Sequence, residues 1–515
     1  MKRLYKSFII TVVTSELALS SCSDYLQPGI YDKLTPDNFP MTAKDAESLV
    51  SSVYYQFRDG EWSRYNSDNE SRLVLGLLGT DEFTCHWQGY WGSPFNFTWS
   101  PDEFPFSKMY YDMVPAVTVA TSAIVQLKKI GDKIDNELLE RYISEIKVAR
   151  AYFMYDLYNL YGPVPTITDE NDIPNLENLE YRPRPTNAAM VKLIEDDLTD
   201  EIISKLEVKY PDSEYGRFTQ GAARMCLLKL YLHEKDYPKV EEQARRIKAL
   251  GYGLEEKYED IWSIDNERNN EIIWALVCKP SPEGIANNFR AHVLPADWKS
   301  PLGYPSEGWN GYKVPWTFYD RFDPADRRRK LLVRYYTNMH GHTVDARELY
   351  YGAIPLKYSE DPAGTGVNQG VDYVVYRYAD VLLALAEAIN ENVGPTQEAI
   401  DLINDIRGRA FGEDESKMWK LDGMTQEKLR EAILDERGFE LYFEGNRRED
   451  LIRFGKYIEY ANTPERMGYI ENAGDASRPI NPQKNAKAHH VLYPIPNKLI
   501  VESGGVLKQN TGYDY

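Results

Sequence analysis

A chain of 515 residues with 43% hydrophobic residues is long enough to bury a large core, and its formal charge of -20 and pI near 5.0 make it acidic overall. Nucleic-acid binding rests on clustered Lys and Arg that release counterions, so that class is disfavoured, while neutral and cationic ligands remain open. Setting Cys22 aside leaves Cys85, Cys226 and Cys278, an odd number spaced far apart, which argues against a disulfide framework.

Residues 1–21 read as a secretory signal: Lys2, Arg3 and Lys6 lead, Phe8, Ile9, Ile10, Val12 and Val13 follow, and small residues close the stretch. Glu16 and its neighbours Thr11, Thr14 and Ser15 interrupt the apolar run. The end, Leu19-Ser20-Ser21-Cys22, looks like a bacterial lipobox, which makes Cys22 the expected site of lipidation. Each buried acyl methylene contributes about 0.8 kcal/mol, so a multiply acylated cysteine would hold the chain to a membrane. No later stretch approaches the roughly 20 apolar residues of a membrane helix, and the mature body is expected to be soluble. Residues 23–39, with Pro28, Gly29 and Pro36 and no period, read as a tether.

The first helix is expected after Thr42, with Ala46, Leu49, Val50, Val53, Tyr54 and Phe57 on one face. Residues 83–104, aromatic at nearly every third position and broken by Gly89, Gly92, Pro94 and Pro101, read as loop. Helical spacing returns from Tyr110 to Leu127, from Val148 to Leu160, where Gly162 and Pro163 stop it, and from Ala188 to Ile202. Ala222 to Tyr231 and Tyr237 to Ile247 form a hairpin of about 33 residues, the length of a tetratricopeptide unit, with Gly251 as its expected cap; a second lies at 377–410, split by Gly394 and Pro395. Residues 252–373 lose helical periodicity and hold Trp262, Trp274, Trp298, Trp309 and Trp316, with a strand expected near Glu271 to Val277. The last strong helix starts near Thr425 and is expected to run on through the charged block Glu436 to Lys456. The fold class is therefore mostly α: four tetratricopeptide-like helix pairs forming a solenoid-like scaffold, with long loop-rich inserts and a few short strands, dividing as 22–250 and 251–515 within one compact unit.

Four stretches in this order, EIKVARAYFMYDLYNLYGPVP (145–165), GRFTQGAARMCLLKLYL (216–232), YRYADVLLALAEAIN (376–390) and ERGFELYFEGNRREDLIRFGK (436–456), with YPIP at 493–496 and QNTGY at 509–513, resemble the SusD/RagB family of outer-membrane lipoproteins. The resemblance covers Cys22 to Tyr515. It implies a helical surface protein that caps a SusC-like TonB-dependent transporter and binds glycan fragments for import. The acidic run that often follows the lipidated cysteine in that family is reduced here to Asp24.

Sugar rings present flat arrays of C–H groups that an aromatic face can cover. The expected ligand contacts are Trp87, Tyr90 and Trp91 in the first insert and Trp298, Trp309, Tyr312 and Trp316 in the second; Trp99, Trp262 and Trp274 are assigned to the core. The competing assignment is that all these rings simply cover the scaffold. In the block from Glu436 to Asp450, acids and bases at three- and four-residue spacing read as an ion network rather than the carboxylate pair of a glycosidase. His340 with His342, and His489 with His490, lack metal-ligand spacing, and Asp320, Asp323 and Asp326 lack a calcium-loop pattern. No phosphate-cradling glycine loop or nucleophile elbow is present, so no cofactor, metal or reaction is expected. Two rivals stay open: a surface glycosidase acting through the last helix, and a peptide-binding module.

Overall fold

The computed structural model describes residues 40, 42–59, 62–66, 69–280, 284–463 and 484–513; the signal, Cys22 and the tether lie outside the described residues. The helices that build the frame are α1 (Ala43–Tyr54), α2 (Gln88–Asn96), α3 (Phe106–Ile130), α4 (Asn136–Tyr161), α5 (Asn187–Asp197), α6 (Gln220–Glu234), α7 (Tyr237–Lys248), α8 (Tyr378–Val393), α9 (Gln397–Phe411), α10 (Gln426–Leu441) and α11 (Arg447–Arg453). Thr42 caps α1 with a reciprocal box: its hydroxyl accepts from the Asp45 amide (3.2 Å) and the Asp45 carboxylate accepts from the Thr42 amide (2.9 Å). Thr219, Thr396 and Thr425 cap α6, α9 and α10 by the simpler one-way bond, each hydroxyl accepting from the backbone amide three residues on.

Packing follows chain order. α1 lies on α3 and α4, α4 on α5 and α6, α6 on α7, α7 on α8, and α8 on both α9 and α10. This nearest-neighbour pattern is that of stacked helix pairs, in which each pair completes the apolar face of the one before. Ala222, Ala223 and Cys226 on α6 are fully buried, and small side chains there let α7 come close. The apolar helix α3 packs along α4 and buries Met113, Val117, Ala120, Ile124 and Leu127.

Three expected elements end differently. The stretch 83–104 contains α2, because Trp91 and Phe95, four residues apart, bury one face against Phe83, and that burial outweighs the roughly 3 kcal/mol cost of a proline such as Pro94 in a helix interior. The helix expected over 188–202 breaks at Leu198, where Thr199 starts a second short helix, Asp200–Ser204. The last helix also breaks: Phe443 (φ 58) and Gly445 (φ 79) turn the chain between α10 and α11. The charge pattern continues across that turn, so it hides the break.

The inserts are tied together by strands. The hairpin β1 (Arg58–Asp59) and β2 (Trp62–Ser63) precedes β3 (Thr84–Cys85); β4 (Ile272–Leu276), β5 (Tyr312–Pro315), β6 (Leu332–Val333), β7 (Tyr335–Thr337), β8 (Thr343–Asp345), β9 (Gly352–Pro355) and β10 (Tyr373–Arg377) follow. A four-stranded antiparallel sheet runs in the order β3-β5-β9-β6, with Cys85 opposite Tyr312, Val314 opposite Ala353 and Leu332 opposite Pro355. The pairing of β3 with β5 draws the two aromatic inserts to one place, though more than 200 residues separate them. Trp99, Trp262 and Trp274 lie in the core, at 2%, 1% and 2% exposure.

Candidate functional site

At the β3–β5 junction the His86 amide donates to the Gly311 carbonyl (2.9 Å), and one residue on, the Trp87 indole N–H donates to the Trp309 carbonyl (2.8 Å). A Cβ at position 311 would sit 2.6 Å from the Trp87 ring, so only glycine allows the indole to lie across this backbone. Asn310 takes the left-handed conformation (φ 54) that turns the chain between Trp309 and Gly311. A third ring joins from the β1–β2 hairpin: Trp62 meets Trp309 edge to face at 5.9 Å, and its N–H donates to the Asn368 side-chain oxygen at 2.9 Å. Trp62, Trp87 and Trp309 are each half-buried, so ring surface reaches solvent.

Beneath them the layer is closed. His292 is buried, stacks on Tyr312 (4.9 Å, 11°) and touches Trp309 edge-on at 4.8 Å. Its Nδ1–H donates to the Asn288 carbonyl (3.1 Å), and burial pushes its pKa down to about 3, so it is a neutral support. Lys313 lies under the same layer, donating from Nζ to the carbonyls of Val293 (3.0 Å) and Tyr312 (3.2 Å), and burial lowers it to about 7.

The structure therefore divides the expected contacts. Trp87 and Trp309 share an open cluster. Trp91, Tyr312 and Trp316 are corrected as ligand contacts: at 1%, 0% and 2% exposure they face inward, Trp91 against Phe83, Tyr312 under Trp87, and Trp316 with its N–H on the Tyr350 carbonyl (2.8 Å). The reason is strand and helix direction, because β5 is buried at all four positions and α2 turns Trp91 into the core. The side chain of Tyr90 lies outside the described ones. Trp298 belongs to a different place, stacked on Tyr336 at 5.6 Å and 19°. Trp62 was not among the expected residues; its signal was the Asp59-Gly60 pair, a favoured hairpin turn, with the aromatic residue two positions after the glycine.

The charged block forms an interior network. Glu436 and Glu440 are wholly buried; Arg328 bonds both, Arg407 bonds Glu436, and Arg377 and Arg409 bond Glu440. Burial alone would raise the Glu440 carboxyl, but Arg409, Arg377 and Arg328 outweigh it and hold the group well below the usual carboxylate range. A general acid needs the opposite shift and contact with a cleft. Among the described residues no group of three or more His, Cys, Asp or Glu is placed to hold a metal ion.

A profile of the SusD family matches residues 330–513. SusD-like protein P2 of Formosa agariphila is 24% identical, over 99% of this chain and 100% of its own length, and the starch-binding protein SusD of Bacteroides thetaiotaomicron is 22% identical, over 100% and 99%. Among solved structures, a SusD homolog from Bacteroides thetaiotaomicron superposes with a TM-score of 0.75 at 22% identity, covering 92% of this chain and 98% of its own. Surface glycan-binding protein A from the same organism, solved in complex with laminarihexaose, gives 0.71 at 17% identity, over 91% and 100%. The fold is thus the helical, insert-bearing scaffold of SusD-like proteins. Residues 330–513 carry the pattern of the SusD family, and along its whole length the chain is similar to SusD-like proteins.

Proposed function

We propose that this protein is a surface glycan-binding lipoprotein that captures oligosaccharide on the Trp62–Trp87–Trp309 cluster and passes it to a SusC-like TonB-dependent transporter, without a chemical step of its own. One observation carries the binding reading: three half-buried indoles from three separate chain segments meet at one open edge, each fixed by a hydrogen bond or by ring contact rather than by burial. Rings held in this way expose a fixed apolar face at little entropic cost on binding. The starch-binding relative and the laminarihexaose-bound neighbour support the ligand class. The transporter and the lipid anchor at Cys22 come from the family resemblance and the signal sequence.

The test is native gel electrophoresis of the full chain through gels cast with laminarin, soluble starch, xylan or galactomannan, followed by titration of the retarding glycan. Trp87→Ala with Trp309→Ala is expected to weaken binding about a hundredfold, since each buried ring face contributes enough for roughly a tenfold change. Full affinity in the folded double variant, or binding to oligopeptides with none to any glycan, would refute the reading.

A further inference from the structure

The largest cavity described, about 520 Å³, lies away from the indole cluster, at the β7–β8 hairpin, and is lined by Trp298, Tyr335, Tyr336, Thr337 and Thr343 among others. We infer that it is a second glycan-contact site, engaging another segment of the same polysaccharide chain; its ligand class rests on the function proposed above.

The open ring is Tyr335, and the stacked, buried pair Trp298 and Tyr336 backs it. Trp298 and Tyr336 are nearly parallel, and Tyr336 is locked from the far side, its hydroxyl donating to the Asp297 carboxylate (2.8 Å) and lying 3.1 Å from the Tyr350 hydroxyl. Tyr335, next along β7, is 58% exposed, with the Arg334 guanidinium 4.8 Å from its ring centre. Thr337 and Thr343 sit directly opposite each other across the hairpin, both exposed, and provide hydroxyls that donate and accept.

A second observation points to a ligand. Trp298 is 8% exposed and its indole N–H has no acceptor, a state it shares with the core rings Trp262 and Trp274, whereas the N–H groups of Trp62, Trp87 and Trp316 all find one. What sets Trp298 apart from Trp262 is its place: the ring with the unpartnered donor forms a wall of the cavity, where a ligand hydroxyl could accept from it. The volume lies within the range of about 300–1,000 Å³ typical of small-molecule sites.

The connection to the first cluster is short. The loop carrying Trp298 leaves and returns at that cluster, where the Trp309 amide donates to the Ala291 carbonyl (2.7 Å) and the Asn310 amide to the Leu294 carbonyl (2.8 Å). Rings also bridge the two: Tyr350 sits 5.8 Å from His86, the neighbour of Trp87, and its hydroxyl reaches Tyr336. One long chain can therefore lie over both places, and the second contact adds avidity through a raised effective concentration.

The same gels and glycans test it on the full chain. Tyr335→Ala, an exposed position, and Trp298→Phe, which keeps a ring but removes the N–H, are each expected to weaken retention by the preferred polysaccharide about threefold to tenfold. In the Trp87→Ala, Trp309→Ala background the residual retention is expected to vanish when Tyr335→Ala is added. Unchanged retention in Tyr335→Ala, with circular dichroism as in the parent, overturns the second site while leaving the first intact. Loss in Tyr335→Ala with none in the double tryptophan variant overturns the first site and keeps the second. Loss of oligopeptide binding in Tyr335→Ala, with glycan retention unchanged, also overturns it, and a parent chain retarded by no glycan removes both.

Discussion

At the scale of single residues, the open cluster depends on a position that carries no side chain. Gly311 leaves room for the Trp87 indole to cross the backbone and reach the Trp309 carbonyl, and a methyl group there would collide with the ring at 2.6 Å. Gly311→Ala is therefore expected to displace Trp87 and lower glycan affinity about tenfold, since one ring face is lost. A clear loss by calorimetry, with the helical circular dichroism of the parent, would bear this out; parental affinity would show that the indole is not held as described. The aromatic residues themselves were legible as a class in the sequence, but their facing was not. Trp87 and Trp91 lie four residues apart in one aromatic run, yet the first ends on a strand junction facing solvent and the second on a helix face turned inward. Neither spacing nor composition distinguishes them, because the surface that buries Trp91 comes partly from Tyr312 on the far insert.

At the scale of elements, α10 and α11 are joined to the rest by buried charge. Arg447 bonds Asp81, Arg437 bonds Asp450 and Asp380, and Glu449 pairs with Lys229 (3.0 Å) and Arg72. Burial would raise Glu449, but Lys229 and Arg72 outweigh it and bring the carboxyl down to about 2; Arg437 and Arg453 hold Asp450 well below its ordinary value in the same way. A carboxyl whose folded pKa is depressed stabilises the fold fully above its unfolded value, about 4.3 for glutamate, and that contribution is lost as pH falls through the folded value. Thermal melting is therefore expected to hold near neutral pH and to decline between about pH 4.5 and 2. Glu440→Gln, which removes the charge shared by Arg328, Arg377 and Arg409, is expected to cost about 3–5 kcal/mol at neutral pH and to flatten part of that acid decline. A variant melting like the parent at pH 7 would mean that the remaining carboxylates suffice. The helix pairs themselves were readable from 3.6-residue periodicity and threonine caps, which act within a few residues. The turn at Phe443 was not, because the Phe443 amide is held by the Glu82 carboxylate (3.1 Å), a contact across 361 residues.

At the scale of the whole molecule, the proposed role requires the chain to stay at a membrane, and Cys22 is the residue that would keep it there. Cys22→Ser is expected to leave folding and glycan affinity unchanged while moving the protein from the membrane fraction to the soluble one and abolishing fatty-acid labelling. A Cys22→Ser variant still sedimenting with membranes would place the attachment elsewhere. The sequence by itself determined the class of scaffold, the helix pairs, the core assignment of Trp99, Trp262 and Trp274, and the likeness to SusD-like proteins, since each follows from short-range periodicity or from ordered motifs along the chain. Only the tertiary structure decided which rings are open, that Trp62 joins Trp87 and Trp309, and that Trp298 stands apart. The physical reason is that β3 and β5 pair across more than 200 residues, and the face a ring presents is set by the neighbour that arrives on its other side.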